Sequence, residues 1–157
     1  MENQEALHLG RELLETADAA YLTTIDGSGF PETRAMLNLR NSAKFPGLDN
    51  LFSEHRDDFT VYFTTNASSP KFAQTQANPA VSAYYCRPDE WRGLMLGGSM
   101  EIVADPALKK AVWQEGWEMH YPEGLAGPEY TILRLVPRVA KYYHQMNSCT
   151  FELGPTT

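Results

Sequence analysis

The sequence predicts a mainly β domain, a barrel of short strands with helices set between them. Three observations lead there. Six or seven segments rich in β-branched and aromatic residues recur between turn signals. The helical patterns do not alternate with them as a parallel α/β sheet requires. The 157 residues suit one domain with one substantial core, and no repeat, low-complexity tract or linker divides residues 1–157.

Residues 1–17 open the chain with Ala6, Leu7, Leu9, Leu13 and Leu14 at helical spacing among Glu and Arg, an amphipathic helix over 3–16. Residues 20–25 read as a strand, Asp26-Gly27-Ser28-Gly29 as a turn, and 30–39 as the returning strand. Pro31 lies near the start of that strand, where a missing N–H does least harm. Residues 41–58 are the least regular stretch, an inserted loop with one short helix around Leu48, Leu51 and Phe52. A strand over 59–65 precedes a helix over 70–77, which Asn78-Pro79 ends. Strands over 80–86 and 94–103 flank the turn Arg87-Pro88-Asp89-Glu90. Asp105-Pro106 starts a helix with an acceptor at the cap and proline in the first position, continuing through Trp113 to about Glu118. Trp113 and Trp117 then share one helix face, where packing is their first use. Strands over 130–136 and 139–144 close the sequence.

Composition narrows the function. A net charge of −7 argues against a nucleic-acid groove or an anionic membrane surface as the main partner. The N-terminus has no uninterrupted apolar run of a signal peptide and no later run would span a bilayer, so the expected placement is cytoplasmic. Cys86 and Cys149 lack CxxC spacing and are read as reduced thiols. No metal site is expected: His55 in SEHRDD reads as part of a solvated turn. His120 and His144 read as structural rather than as acid/base or haem-ligand residues, because neither has a partner at informative spacing. No G-x-S-x-G, P-loop, dinucleotide Gly-rich motif or H-E-x-x-H is present, and no catalytic residue is named.

The stretch VYFTTNASSPKF, residues 61–72, carries more information. An apolar strand ends in Thr64 and Thr65, and Ser69 is placed to cap a helix whose first residue is Pro70. The free amides of such a helix start, with Lys71 and the hydroxyls of Thr64, Thr65 and Ser69, suit a terminal phosphate with two negative charges. Read alone, the same pattern also describes an ordinary capped helix with a solvated lysine. Arg34, in a strand with apolar neighbours, needs a partner if its face is covered. A phosphate or a flavin rim would serve, and so would Glu32 or Asp58.

Four blocks in order, TTIDGSGFPETRAM, VYFTTNASSPKFAQTQANPAVSAYY, WRGLMLGGSMEIV and ILRLVPRVAKYY, resemble the FMN-binding split barrels related to pyridoxamine-phosphate oxidase. The helix of Trp113 followed by YPEG and GPEY resembles the general stress protein branch. The resemblance implies a six- to seven-stranded antiparallel split barrel that binds FMN. It implies Arg34, Ala35, Met36 and Leu37 along the isoalloxazine and phosphate, Thr64 and Thr65 at the strand end, and Ser69 and Lys71 on the phosphate. It also implies a homodimer with two flavin sites at the interface, for whose second-subunit side Trp91 and Arg92 are the candidates.

Departures from that pattern shape the expected activity. Gly93 stands where the oxidases carry a flavin-contacting glutamine, and Pro70 replaces a basic residue that often precedes the lysine. The oxidases hold their substrate's phosphate with Arg and Ser in the region occupied here by 116–124, and GWEMHYPEG offers neither. A phosphorylated pyridoxine would arrive with its charge unpaired, so authentic pyridoxamine-phosphate oxidase activity is not expected. The leading expectation is an FMN-dependent oxidoreductase acting with a small-molecule substrate or reductant. A non-catalytic flavin carrier or stress-linked binder, and a haem or deazaflavin binder on the same fold, are the alternatives. The insert 41–58 reads as a flavin lid or a dimer brace, with bracing favoured because Leu48, Leu51 and Phe52 need burial.

Overall fold

Ala20, Leu22 and Thr24 are buried while Tyr21 is exposed, the two-residue period of a strand covered on one face. Ala19–Ile25 accordingly forms strand β1 in a computed structural model that describes residues 1–154. Helix α1 (Asn3–Thr16) precedes it and buries Ala6, Gly10, Leu13 and Leu14. The Asp26 carboxylate accepts from the N–H groups of Ser28 (2.8 Å) and Phe30 (2.9 Å), and Gly29 at φ +84° completes the turn into β2 (Pro31–Leu37). The insert holds α2 (Asp49–Phe52) between two 3₁₀ turns. There follow β3 (Val61–Asn66), α3 (Pro70–Ala77), β4 (Ala80–Arg87), β5 (Arg92–Val103), α4 (Pro106–Val112), β6 (Tyr130–His144) and β7 (Asn147–Glu152).

Among the described residues the seven strands form one antiparallel sheet, in the order β2-β1-β4-β5-β6-β3 with β7 also on β6. It is the curled, mainly β half-barrel that the sequence predicts. Strand β6 is long enough to serve three partners. Its first half pairs with β3, its second half with β7, and β5 runs beside both halves.

Three element expectations need correction. Residues 130–144 are one strand, not two, because Arg138 is accommodated as a bulge opposite Gly97 and Gly98. Pro137, which suggested a break, sits at that bulge, where a strand tolerates a missing N–H. The helix expected to reach Glu118 ends at Val112, and Trp117 belongs to a separate 3₁₀ turn entered through Gly116 at φ +90°. Trp113 and Trp117 therefore share no helix, yet their rings meet edge to face at 6.0 Å. Strand β7 was not expected at all; its alternation is short and polar outside Phe151, whose side chain is buried.

The apolar residues form two clusters. The larger lies between α1 and the inner faces of β1, β4, β5 and β6. The smaller gathers Leu48 and Phe52 of the insert with Tyr62, Trp117, Tyr121 and Tyr130. The insert thus buries Leu48 and Phe52 within its own chain, which removes the reason for reading it as a dimer brace. Arg40, only 4% exposed, ties the insert down. Its guanidinium donates to the carbonyls of Thr60 (2.9 Å), His55 (3.0 Å) and Asp58 (3.3 Å), faces Glu15 at 3.4 Å, and lies over the Phe52 ring.

Candidate functional site

Strand β3 and helix α3 meet where two basic side chains converge. Burial lowers the Lys71 pKa, and the charge of Arg34 lowers it further, so the two cations share one neighbourhood. Arg34 reaches there from β2; burial lowers its pKa too, against an opposing effect of Glu32. Holding two positive charges close together in a partly desolvated place is unfavourable until an anion joins them. Lys71 makes no ion pair among the described residues.

Arg34 is less free than Lys71. Its Nη1 donates to Thr24 Oγ1 (2.6 Å), the Glu32 carbonyl (3.1 Å) and the Leu22 carbonyl (3.3 Å). Its Nη2 faces Glu32 Oε2 and Gln74 Oε1, each at 3.4 Å. The pairing with Glu32 that the sequence left open is therefore present, while Asp58 bonds His55 at 2.9 Å instead. Arg34 supplies positive potential, and Lys71 supplies the uncommitted donor.

The helix start is built as the sequence suggests but offers fewer amides. Ser69 Oγ accepts from the Phe72 N–H at 3.4 Å and lies 2.9 Å from Thr65 Oγ1. Pro70 has no N–H, and the Ala73 N–H goes to the Ser69 carbonyl at 3.4 Å. The Lys71 amide is what remains of the first-turn donors. Thr64 faces the Tyr121 phenol, whose pKa burial raises despite that hydroxyl.

Some of these groups border a cavity of about 450 Å³, while Arg34 and Ser69 do not line it. Six expected residues line it: Ala35, Met36 and Leu37 from β2, Thr64 and Thr65 from β3, and Lys71 from α3. Asp18, Ala19 and Asn66 add to the lining, and Trp117, His120 and Tyr121 form an aromatic wall that meets β3 where Tyr121 faces Thr64. Sequence reading missed this second group. GWEMHY concentrates aromatic residues, a usable signal, but extending the helix to Glu118 aimed them elsewhere. The wall is braced from behind, since Trp113 and Tyr121 each stand 5.0 Å from the Tyr130 ring. The insert contributes no lining residue, so it is not a lid over this cavity; it packs behind the wall.

Two expected residues lie elsewhere. Arg92 is 7% exposed, and its guanidinium bonds Glu12 Oε2 (2.6 Å), Glu90 Oε2 (3.2 Å), the Tyr142 hydroxyl (3.1 Å) and the Leu9 carbonyl (3.3 Å). Burial alone would lower its pKa, but these partners outweigh that and raise it. Arg92 fastens β5 to α1, and its donors are committed within its own chain. Trp91 stands 72% exposed with φ 52° in the turn between β4 and β5, outside this chain's cavity. Gly93 also has a packing reason: the Tyr84 hydroxyl and the ring edge of Tyr143, to whose hydroxyl it is bonded, occupy the space a side chain there would need.

The donor set fits a phosphate, with one uncommitted ammonium, one amide and hydroxyls beside a second cation. The apolar strand and aromatic wall suit a planar ring system next to it. A family model described as pyridoxamine 5'-phosphate oxidase like matches residues 7–153. No curated protein matches the chain. Among solved structures, the chain is similar to a protein from Clostridium acetobutylicum related to general stress protein 26 of B. subtilis (pyridoxinephosphate oxidase family). That likeness has a TM-score of 0.75 at 27% identity over 97% of both chains. General stress protein 26 from Bacillus anthracis shares the fold with a TM-score of 0.67 at 17% identity, over 93% of this chain and 99% of that one. A heme binding protein from Mycobacterium smegmatis shares it with a TM-score of 0.65 at 9% identity, over 94% of this chain and 57% of that one.

Proposed function

The chain belongs to the pyridoxamine 5'-phosphate oxidase-like family, and from that premise we propose that it binds FMN and acts as an oxidoreductase on a small organic molecule. The observation that carries this reading is Lys71, a cation that lines the cavity beside Thr64 and Thr65, has no carboxylate of its own, and feels the positive charge of Arg34. Lys71, through its ammonium and amide, would hold the phosphate with Ser69 and Thr65. Arg34 would add positive potential from behind. Ala35, Met36 and Leu37 would flank the ring, and Trp117 and Tyr121 would keep water from it. The flavin would supply hydride or electron transfer, chemistry that belongs to the cofactor.

The proposal includes a homodimer with a flavin site at each side of the interface. Leu37 and Tyr21 present exposed apolar surface along the strands that border the cavity, and Trp91 projects at the β4–β5 turn. A second copy would cover the former and add its Trp91 to the site. Arg92 is not part of that contribution, because its donors are committed to its own chain.

Binding of FMN and of riboflavin to wild type and Lys71→Ala tests the reading. Losing the ammonium should weaken FMN by about 1.5–3 kcal/mol and leave riboflavin nearly unchanged. Equal losses for both ligands would contradict the geometry. A Soret band in the purified protein would replace flavin by haem. The lack of Arg and Ser in 116–124 favours a second reading, a non-catalytic flavin carrier. Turnover with NAD(P)H separates the two, since a carrier's flavin is reduced at no useful rate.

A further inference from the structure

Arg34 sits in a closed circuit of hydrogen bonds that joins β1 and β2 to α3. Its Nη1 donates to Thr24 Oγ1 (2.6 Å), and the Thr24 hydroxyl donates to Gln74 Oε1 (2.5 Å). Gln74 Nε2 donates to Glu32 Oε2 (3.0 Å), the oxygen that Arg34 Nη2 faces at 3.4 Å. The amide of Gln74 can close the circuit in one orientation only. Turned over, it would set its NH2 against the Arg34 guanidinium and its oxygen against the Glu32 carboxylate. Gln74 follows Lys71 by three residues on α3, so the circuit fixes Arg34 and Glu32 relative to the helix that carries Lys71.

Glu32 differs from the other members of the circuit. Thr24 is fully buried and Arg34 partly so, whereas the Glu32 side chain is 46% exposed. Among the described residues it is also the one carboxylate paired with a cation of the site, since Lys71 has none. The other acids nearby are engaged elsewhere. Asp26 accepts from the turn amides of Ser28 and Phe30, Glu129 accepts from Ser68, and Asp18 faces Lys44 at 3.5 Å. A negative charge held on Arg34 subtracts from the positive potential that Arg34 lends to Lys71 and to an anion beside it.

We propose that Glu32 is the built-in counter-anion of the phosphate site. Gln74 holds its carboxylate against Arg34, and its charge sets phosphate affinity below what the two cations alone would give. The inference rests on the flavin reading for the ligand and deepens it, because it assigns an affinity-setting residue that does not line the cavity. The one charge acts in two directions. Glu32 offsets the unfavourable approach of Arg34 to Lys71 in the ligand-free protein, and it opposes an arriving dianion. A flavin phosphate held this way is released more readily than one facing the two cations alone. The site also discriminates less strongly between FMN and riboflavin than Lys71 and Arg34 would otherwise allow.

The test compares wild type at low salt with Glu32→Gln, which keeps the size of the side chain and removes its charge. Binding of FMN and riboflavin is read from quenching of flavin fluorescence, and stability of the ligand-free protein from denaturant midpoints. Glu32→Gln should tighten FMN by about threefold to tenfold and move riboflavin by less than about twofold. High salt should shrink the FMN gain, because an exposed charge is screened. Stability without ligand should stay level or fall as the ion pair is lost. That is opposite in sign to the FMN effect, whereas a merely structural Glu32 would lower both. FMN binding that is unchanged or weaker, or riboflavin tightened as much as FMN, overturns the proposal and leaves the flavin reading standing. If neither protein takes up either flavin, the flavin reading falls instead. The comparison then passes to inorganic phosphate, read by thermal shift at low salt. A larger shift in Glu32→Gln supports the counter-anion, and equal shifts in the two proteins overturn it as well.

Discussion

The role proposed for Lys71 rests on its surroundings more than on its charge alone. Burial and the neighbouring Arg34 lower its pKa below the ordinary lysine value of 10.5, so the empty site loses its charge earlier on the way up in pH. A phosphate dianion binds the charged form, and FMN affinity should therefore fall as pH rises through that lowered pKa. It should fall again below about pH 6, where the phosphate gains a proton. Riboflavin, which has no phosphate, should show neither limb. The ratio of the two affinities measured across pH 5 to about 10 checks this, and a flat ratio would remove Lys71 from the phosphate. Stability of the ligand-free protein carries the opposite sign. The charged lysine is disfavoured in the fold, so the penalty is present at low pH and relieved as pH passes the lowered pKa. Gly93 is decided at the same scale: a methyl group there meets the Tyr84 and Tyr143 side chains. Gly93→Ala should lower stability by about 1–3 kcal/mol as overpacking, read from denaturant midpoints.

The elements that frame the cavity depend on a few tethers. Helix α3 begins at Ser69, whose hydroxyl both caps the Phe72 amide and meets Thr65. Ser69→Ala should cost about 1 kcal/mol of stability without ligand. It should also weaken FMN, and the thermal shift on adding FMN should shrink; an unchanged shift would mean that the hydroxyl serves the cap alone. The insert rests on Arg40, and Arg40→Ala takes the guanidinium donor from the carbonyls of Thr60 and Asp58 and leaves that of His55 with the Asp58 N–H alone. A loss of about 3 kcal/mol is expected, with hydrogen exchange accelerating first in 41–58. Because Phe52 and Leu48 pack with Trp117 and Tyr121, loosening the insert should also disturb the aromatic wall. Gly116 adopts φ +90° at the entry to that wall. Placing alanine there costs about 1–2 kcal/mol and should move the Trp117 fluorescence.

For the whole molecule, the expectation is a dimer. Sedimentation should return twice the 17.7 kDa chain mass, and Trp91→Ala should weaken FMN without altering this chain's own cavity; a monomer that binds FMN fully would exclude a shared site. Much of this architecture was legible in one dimension. The order of strands and turns follows from two-residue alternation, from Asp-Gly and Ser-Pro signals, and from residues whose neighbours in sequence are their structural partners. Ser69 capping α3 is local physics of that kind, and so is the helix α1. The short-range chemistry of 61–72 grouped Thr64, Thr65, Ser69 and Lys71, but it read equally as an ordinary capped helix until the Arg34 strand and the family resemblance were set beside it. What the chain alone could not determine depends on contacts between distant segments. Arg92 carries the same side chain whether it meets a ligand or Glu12, eighty residues earlier, and only folding α1 against β5 decides between them. The burial of Leu48 and Phe52, the bulge that keeps β6 whole past Pro137, and the turn that aims Trp117 and Tyr121 at the cavity are likewise settled by packing. Local preference specifies which elements form; the free energy of closing them against one another specifies which side chains remain available for a ligand.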